Sequence, residues 1–93
     1  MDKEEAKVIL AKELDSYRQR SYNDLLYLLD SQDTIEIKAS SGVIYQLEFE
    51  AIWDGKKGGN LRIMGGIDDG GIRSLFPLTN DFILAPDGTF VGE

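Results

Sequence analysis

The sequence predicts a single α+β domain, with an N-terminal helix or helix pair packed on one face of a four- to five-stranded antiparallel meander sheet. Three observations predict it. Residues 3–18 carry no Gly or Pro and repeat apolar side chains at helical spacing. From Asp33 onward the apolar period changes to two, and glycine-containing junctions near 42, 55–59, 70 and 88 cut the remainder into short segments. Ninety-three residues support one hydrophobic core and leave too little chain for a second. Positions 1–93 are therefore one domain, with a helical part over 1–31 and a sheet over 33–93.

In the first helix Ala6, Ile9, Leu10, Leu14 and Tyr17 form one stripe. Asp2 is placed to cap it, Glu4 and Glu5 suit the positive end of its dipole, and Arg18 and Arg20 suit the negative end. Ser21-Tyr-Asn-Asp24 is a near match to a capping box, so a second helix or kinked continuation is expected over Tyr22 to Leu29. Its five consecutive apolar residues, Leu25 to Leu29, are too many for an exposed helix.

The sheet begins where Ile35 and Ile37 alternate with Glu36 and Lys38. After a turn at Ser40, Ser41 and Gly42, the residues Tyr45, Leu47, Phe49, Ala51 and Trp53 alternate with Gln46, Glu48, Glu50 and Ile52. Leu61, Ile63, Gly65 and Ile67 then share one face, with Arg62, Met64 and Asp68 on the other. A further strand is expected from about Ile72 to Leu78, interrupted by Pro77, and a final hooked hairpin from Phe82 through Pro86-Asp87-Gly88 to Val91. The helices have one stripe to bury and the sheet one apolar face, which puts Glu48, Glu50, Arg62 and Arg73 on the opposite face, solvated or partner-bound.

Composition excludes more than it selects. A formal charge of −7, from ten basic and seventeen acidic residues, opposes nucleic-acid and anionic-membrane partners, whose phosphates need clustered Lys and Arg. No apolar run approaches the roughly 20 residues that span a bilayer, and the charged start Met-Asp-Lys-Glu-Glu differs from an export signal, so a cytoplasmic location is expected. Without Cys or His there is no disulfide, thiol nucleophile, imidazole base or zinc site of the Cys/His kind. No cofactor or metal is expected, and any catalysis must run on carboxylates, Tyr, Lys, Arg or Ser.

The densest candidate is Met64 to Arg73, where four glycines flank Asp68 and Asp69. A two-residue type I′ turn centred on Asp69 and Gly70 accounts for Asp-Gly by its need for positive φ at both positions. A cation site built from Asp68, Asp69 and a loop carboxylate such as Asp54 or Asp87 is the functional alternative, although the EF-hand pattern is absent. The Gly65-Gly66 pair predicts a bulge or a closely approaching helix or ring, with Trp53 as the neighbour. Neither this stretch nor Asp54-Gly-Lys-Lys-Gly-Gly59 is a phosphate loop, since neither contains Gly-Lys-Ser/Thr. Glu48 and Glu50 lie about 6.5–7 Å apart on one face, a spacing that suits acid/base work if shielded from water. Arg62 on the next strand is expected to neutralise them instead. Asp68, Glu48, Glu50 and Arg62 are thus the candidate binding residues, with no catalytic residue assigned, and the four tyrosines are expected at the core edge.

Tyr45-Gln-Leu-Glu-Phe-Glu50 leading to Trp53-Asp54, then Ile67-Asp-Asp-Gly-Gly71, Phe76-Pro-Leu78 and Pro86-Asp-Gly-Thr-Phe-Val-Gly-Glu93, resembles a family of small hypothetical proteins over most of the chain. The resemblance implies no activity and transfers no functional residue. At fold level the arrangement is similar to the helix on a curved sheet of cystatin-like domains, which serve as enzymes, inhibitors and scaffolds alike. The leading expectation is a non-catalytic binding or protein-interaction module with an acidic surface, including self-association through an edge strand. The alternative is a small-ligand domain or carboxylate-dependent enzyme with a pocket between helices and sheet.

Overall fold

The computed structural model describes residues 1–71 and 77–93. Helix α1, Lys3–Arg18, starts where the Asp2 carboxylate accepts the Glu5 amide at 3.1 Å, and its first turn carries Glu4 and Glu5. Ala6, Leu10, Leu14 and Tyr17 are buried along the predicted stripe, while Ile9 is half-buried at its margin. Ser21 caps the second helix by accepting the Asp24 amide at 3.1 Å. The expected single segment divides into α2, Tyr22–Leu25, and a tighter 3₁₀ turn, Leu26–Leu29. The division lets Leu25 and Leu28 face the core together, as a three-residue period requires.

Four strands follow among the described residues: β1 Asp33–Lys38, β2 Ile44–Trp53, β3 Leu61–Asp68 and β4 Leu78–Leu84. They form one antiparallel sheet in the order β1-β2-β3-β4. Its inner face carries Tyr45, Leu47, Phe49 and Ala51 from β2, Leu61, Ile63 and Ile67 from β3, and Phe82 and Leu84 from β4. Helix α1 crosses β3 and β4, and the 3₁₀ turn covers β2. The Tyr17 ring lies on Phe49 with centroids 4.4 Å apart. Each fully buried Leu or Phe in this layer contributes about 1.5–3 kcal/mol relative to exposure.

Several expectations require correction. The Gly65-Gly66 pair sits in unbroken register, with no bulge. A Cβ on Gly65 would stand 2.7 Å from Phe49 Cε1 and 3.1 Å from Leu10 Cδ1, so the close neighbours are Phe49 and a residue of α1, whereas Trp53 pairs with Leu61 at the far end of β2. The type I′ turn is absent: among the described residues no non-glycine, Asp69 included, has positive φ, and Asp68 instead accepts the Gly70 amide at 2.8 Å, which shapes the chain through a side-chain bond. The 72–76 part of the expected fourth strand, Arg73 included, lies outside the described residues. Pro77 stands immediately before β4, and Phe82 belongs to β4 and not to the closing hairpin. The tail hooks as expected, with the Ala85 amide donating to the Thr89 carbonyl at 2.8 Å and Leu84 bridging to Phe90.

Candidate functional site on the open sheet face

Pairing register decides which side chains meet on the face away from the helices. Glu48 stands opposite Gly66, Glu50 opposite Met64, and Gln46 opposite Asp68. On the other side of β3, Thr79 pairs with Gly66 and Asp81 with Met64. Because Gly66 has no side chain, the face is indented between β2 and β4. The resulting notch of about 420 Å³ is lined by Gln32, Glu48, Glu50, Met64, Pro77 and Asp81, among others.

Arg62 does not neutralise the glutamates as expected. Its Nη2 meets Asp54 Oδ1 at 2.9 Å, its Nε donates to the same oxygen at 3.2 Å, and its Nη1 pairs with Asp81. The register explains the diversion: Arg62 pairs directly with Ile52 and Ile83, so the flanking Asp54 loop and Asp81 on β4 compete successfully for its fork. Among the described residues Glu48 is left with one bond, from Gln32 Nε2 at 3.2 Å. Glu50 makes no hydrogen bond or ion pair with any described residue. Both glutamates are exposed.

Asp68 faces the same side, but its carboxylate is committed to the Gly70 amide. Asp69 Oδ1 accepts the Gly71 amide at 3.2 Å, and its second oxygen lies 3.6 Å from the chain's terminal amine. Of the four candidate residues the structure therefore brings Glu48 and Glu50 together, holds Arg62 beside them through Asp81, and assigns Asp68 to the turn. Sequence reasoning missed Asp81, Met64 and Gly66 as parts of the site. The alternation Thr79, Asp81, Ile83 against Phe82 and Leu84 carried the signal for Asp81, but the expected strand started at Phe82.

The hydroxyls of all four tyrosines are bonded at the core edge. Tyr17 and Tyr27 both donate to Asp33 Oδ2 at 2.6 Å, Tyr45 donates to Glu5 Oε1 at 2.9 Å and Tyr22 to the Gly59 carbonyl at 2.6 Å. Burial, followed by the bond to the Asp33 carboxylate, pushes the Tyr17 and Tyr27 phenols above their ordinary value. Burial and then Glu5 push Tyr45 up to about 12. These protonated phenols are anchors for the helices against the sheet. Among the described residues no group of three or more Asp or Glu is placed to hold a metal ion. The carboxylates offered for a cation at the Asp68 turn are dispersed, since Asp54 serves Arg62 and Asp87 closes its own turn on Thr89.

Fold and site define a helix-backed antiparallel α+β domain with a carboxylate-lined notch on its uncovered face. Comparison of the chain with protein-family models, with curated proteins and with solved structures gives no match.

Proposed function

We propose that this domain is a non-catalytic interaction module whose open sheet face receives a Lys or Arg side chain from a basic protein partner. The observation that supports the reading is Glu50, a carboxylate without a partner among the described residues, beside Glu48 and Asp81 over the gap left by Gly66. Met64 supplies an apolar wall for the methylene stem of such a side chain, and the carboxylates meet its charged head. A charge of −7 steers a basic partner toward the domain before contact. Acid/base catalysis fits this face poorly, because Glu48 and Glu50 stand in water, where nothing shields one carboxylate from the other's solvent.

Parallel pull-downs at about 0.15 M salt, where the Debye length is near 8 Å, test the reading. Native domain and the Glu48→Gln/Glu50→Gln variant serve as baits. The native bait is expected to recover basic proteins that the variant loses. Equal recovery by both rejects the proposal.

A further inference from the structure

The two edges of the sheet differ. At β4 the tail covers the edge: Leu84 bridges to Phe90, the Val91 amide donates to the Ile83 carbonyl at 2.9 Å, and Pro77 precedes the strand. At β1 no described element pairs with the outer side. The Ala39 amide donates to the Val43 carbonyl at 2.8 Å, and this bond fixes the alternation along the strand. Ile35, Ile37 and Ala39 turn their backbone groups toward β2, so Thr34, Glu36 and Lys38 turn theirs outward. The strand has no proline, and six residues pair continuously with β2 without a bulge. Natural sheets usually protect such an edge.

The side chains along this edge are self-complementary. On the inner face Ile35, Ile37 and Ala39 are only half-buried, and the start of α1 leaves an adjoining groove of about 430 Å³ lined by Val8, Ile9, Ile37 and Ala39. Val8 is 67% exposed. On the open face stand one acid, Glu36, and one base, Lys38. Glu36 holds Gln46 Nε2 at 2.8 Å through one oxygen, which leaves the other available.

We propose that β1 pairs antiparallel with β1 of a second copy of this chain, about a two-fold axis at Ile37. In this register Glu36 stands opposite Lys38 of the second copy, and the reciprocal pair forms by symmetry. Ile37 meets its own counterpart, and Ile35 meets Ala39, so the inner-face pairs nearest the axis are apolar. A shift of two residues in one direction sets Glu36 against Glu36. The same shift in the other direction sets Lys38 against Lys38. Like charges directly opposed destabilise both alternatives. The outward amides and carbonyls of Glu36 and Lys38 exchange hydrogen bonds across the new junction, giving one eight-stranded sheet with both helical layers on the same side. Neither Glu36 nor Lys38 lines the notch, so this pairing stands or falls separately from the binding reading.

The cysteine-free chain makes the register measurable. At a non-hydrogen-bonded antiparallel pair the Cα atoms lie about 4.5 Å apart, within the range of a disulfide. Under mild oxidation Ile37→Cys should convert to a crosslinked dimer. Ile35→Cys should not, because its counterpart lies four residues away along the strand, roughly 13 Å. Light scattering should give a dimer mass for the native chain, a loss of at least tenfold in association for Lys38→Glu, and recovery in Glu36→Lys/Lys38→Glu. The proposal is overturned by a native chain that stays monomeric up to about 1 mM, the weak end of specific association. It is equally overturned by crosslinking as fast at position 35 as at 37, by Lys38→Glu that associates normally, or by a double variant that remains monomeric.

Discussion

Gly65→Ala and Gly66→Ala make the same chemical change at adjacent positions of one strand, and the structure predicts opposite outcomes. Neither glycine has positive φ, so backbone conformation does not separate them. At Gly65 the new methyl would lie 2.7 and 3.0 Å from two atoms of the Phe49 ring and 3.1 Å from Leu10 Cδ1. The ring cannot swing aside freely, because Phe49 is fully buried and Tyr17 lies on it at 4.4 Å. Overpacking of this kind costs about 1–3 kcal/mol, against a gain of roughly 0.4–1 kcal/mol from a less flexible unfolded chain. At Gly66 the nearest atoms, from Leu78 and Pro77, are 3.8 Å away, an ordinary contact, so the gain is kept. The net loss at Gly65 is then up to about 2.6 kcal/mol, so with about 4–8 °C of Tm per kcal/mol for a domain of this size Gly65→Ala should melt lower by up to roughly 20 °C and Gly66→Ala roughly 2–8 °C higher. Thermal unfolding followed by circular dichroism measures both. Equal Tm values for the two variants would refute the packing of α1 through Leu10 onto the β3 glycine.

Gly66→Ala should also weaken capture of basic partners by the open face, since its methyl partly fills the notch, and native-like stability of the same sample rules out unfolding as the cause. Tyr17→Phe removes one of two hydroxyl donors to Asp33, and a hydrogen bond to a carboxylate of this kind contributes about 1.5–3 kcal/mol; urea unfolding measures the loss, and an unchanged midpoint contradicts the anchoring role. Folding raises the Tyr17, Tyr27 and Tyr45 phenols above the ordinary value of 10.0, so below pH 10 all are protonated in both states and their contribution is fully present. Above it the unfolded chain ionises first, and stability should fall as pH rises toward and beyond about 12, the value for Tyr45. Phenolate absorbance coincident with loss of structure is the expected result, whereas ionisation of Tyr17, Tyr27 and Tyr45 in a still-folded chain contradicts it. Arg62→Gln frees Asp81 and should strengthen binding of basic partners; weaker binding would show that Arg62 itself contacts the partner.

The strand faces were legible because alternation of period two needs no knowledge of neighbours. Tyr45 to Trp53 and Leu61 to Asp68 present the faces their sequence predicts. The helix boundaries were legible for a similar reason, since Asp2 and Ser21 act within three residues of their own positions. What depends on pairing across the chain was not. Arg62 finds Asp54 and Asp81, eight and nineteen residues away, and the choice rests on the β3-β4 register. That register could not be derived without knowing where the fourth strand begins. The reason for Gly65 was half legible: strand glycines imply close approach, but only tertiary packing names Phe49 and Leu10. Asp68 misled because the same Asp-Gly sequence serves both a type I′ turn and a turn closed by the aspartate side chain, and local chemistry does not choose between them. The joint anchoring of Tyr17 and Tyr27 on Asp33 left no pattern in the sequence at all.

Titration of the isotopically labelled domain with a short arginine-bearing peptide, followed by amide chemical shifts, asks whether the notch receives a cationic side chain. Saturable, salt-sensitive shifts should centre on Glu48, Glu50, Met64, Gly66 and Asp81 and disappear in Glu48→Gln/Glu50→Gln. Shifts scattered over the whole acidic surface, or shifts at the notch that survive the double substitution, would contradict it.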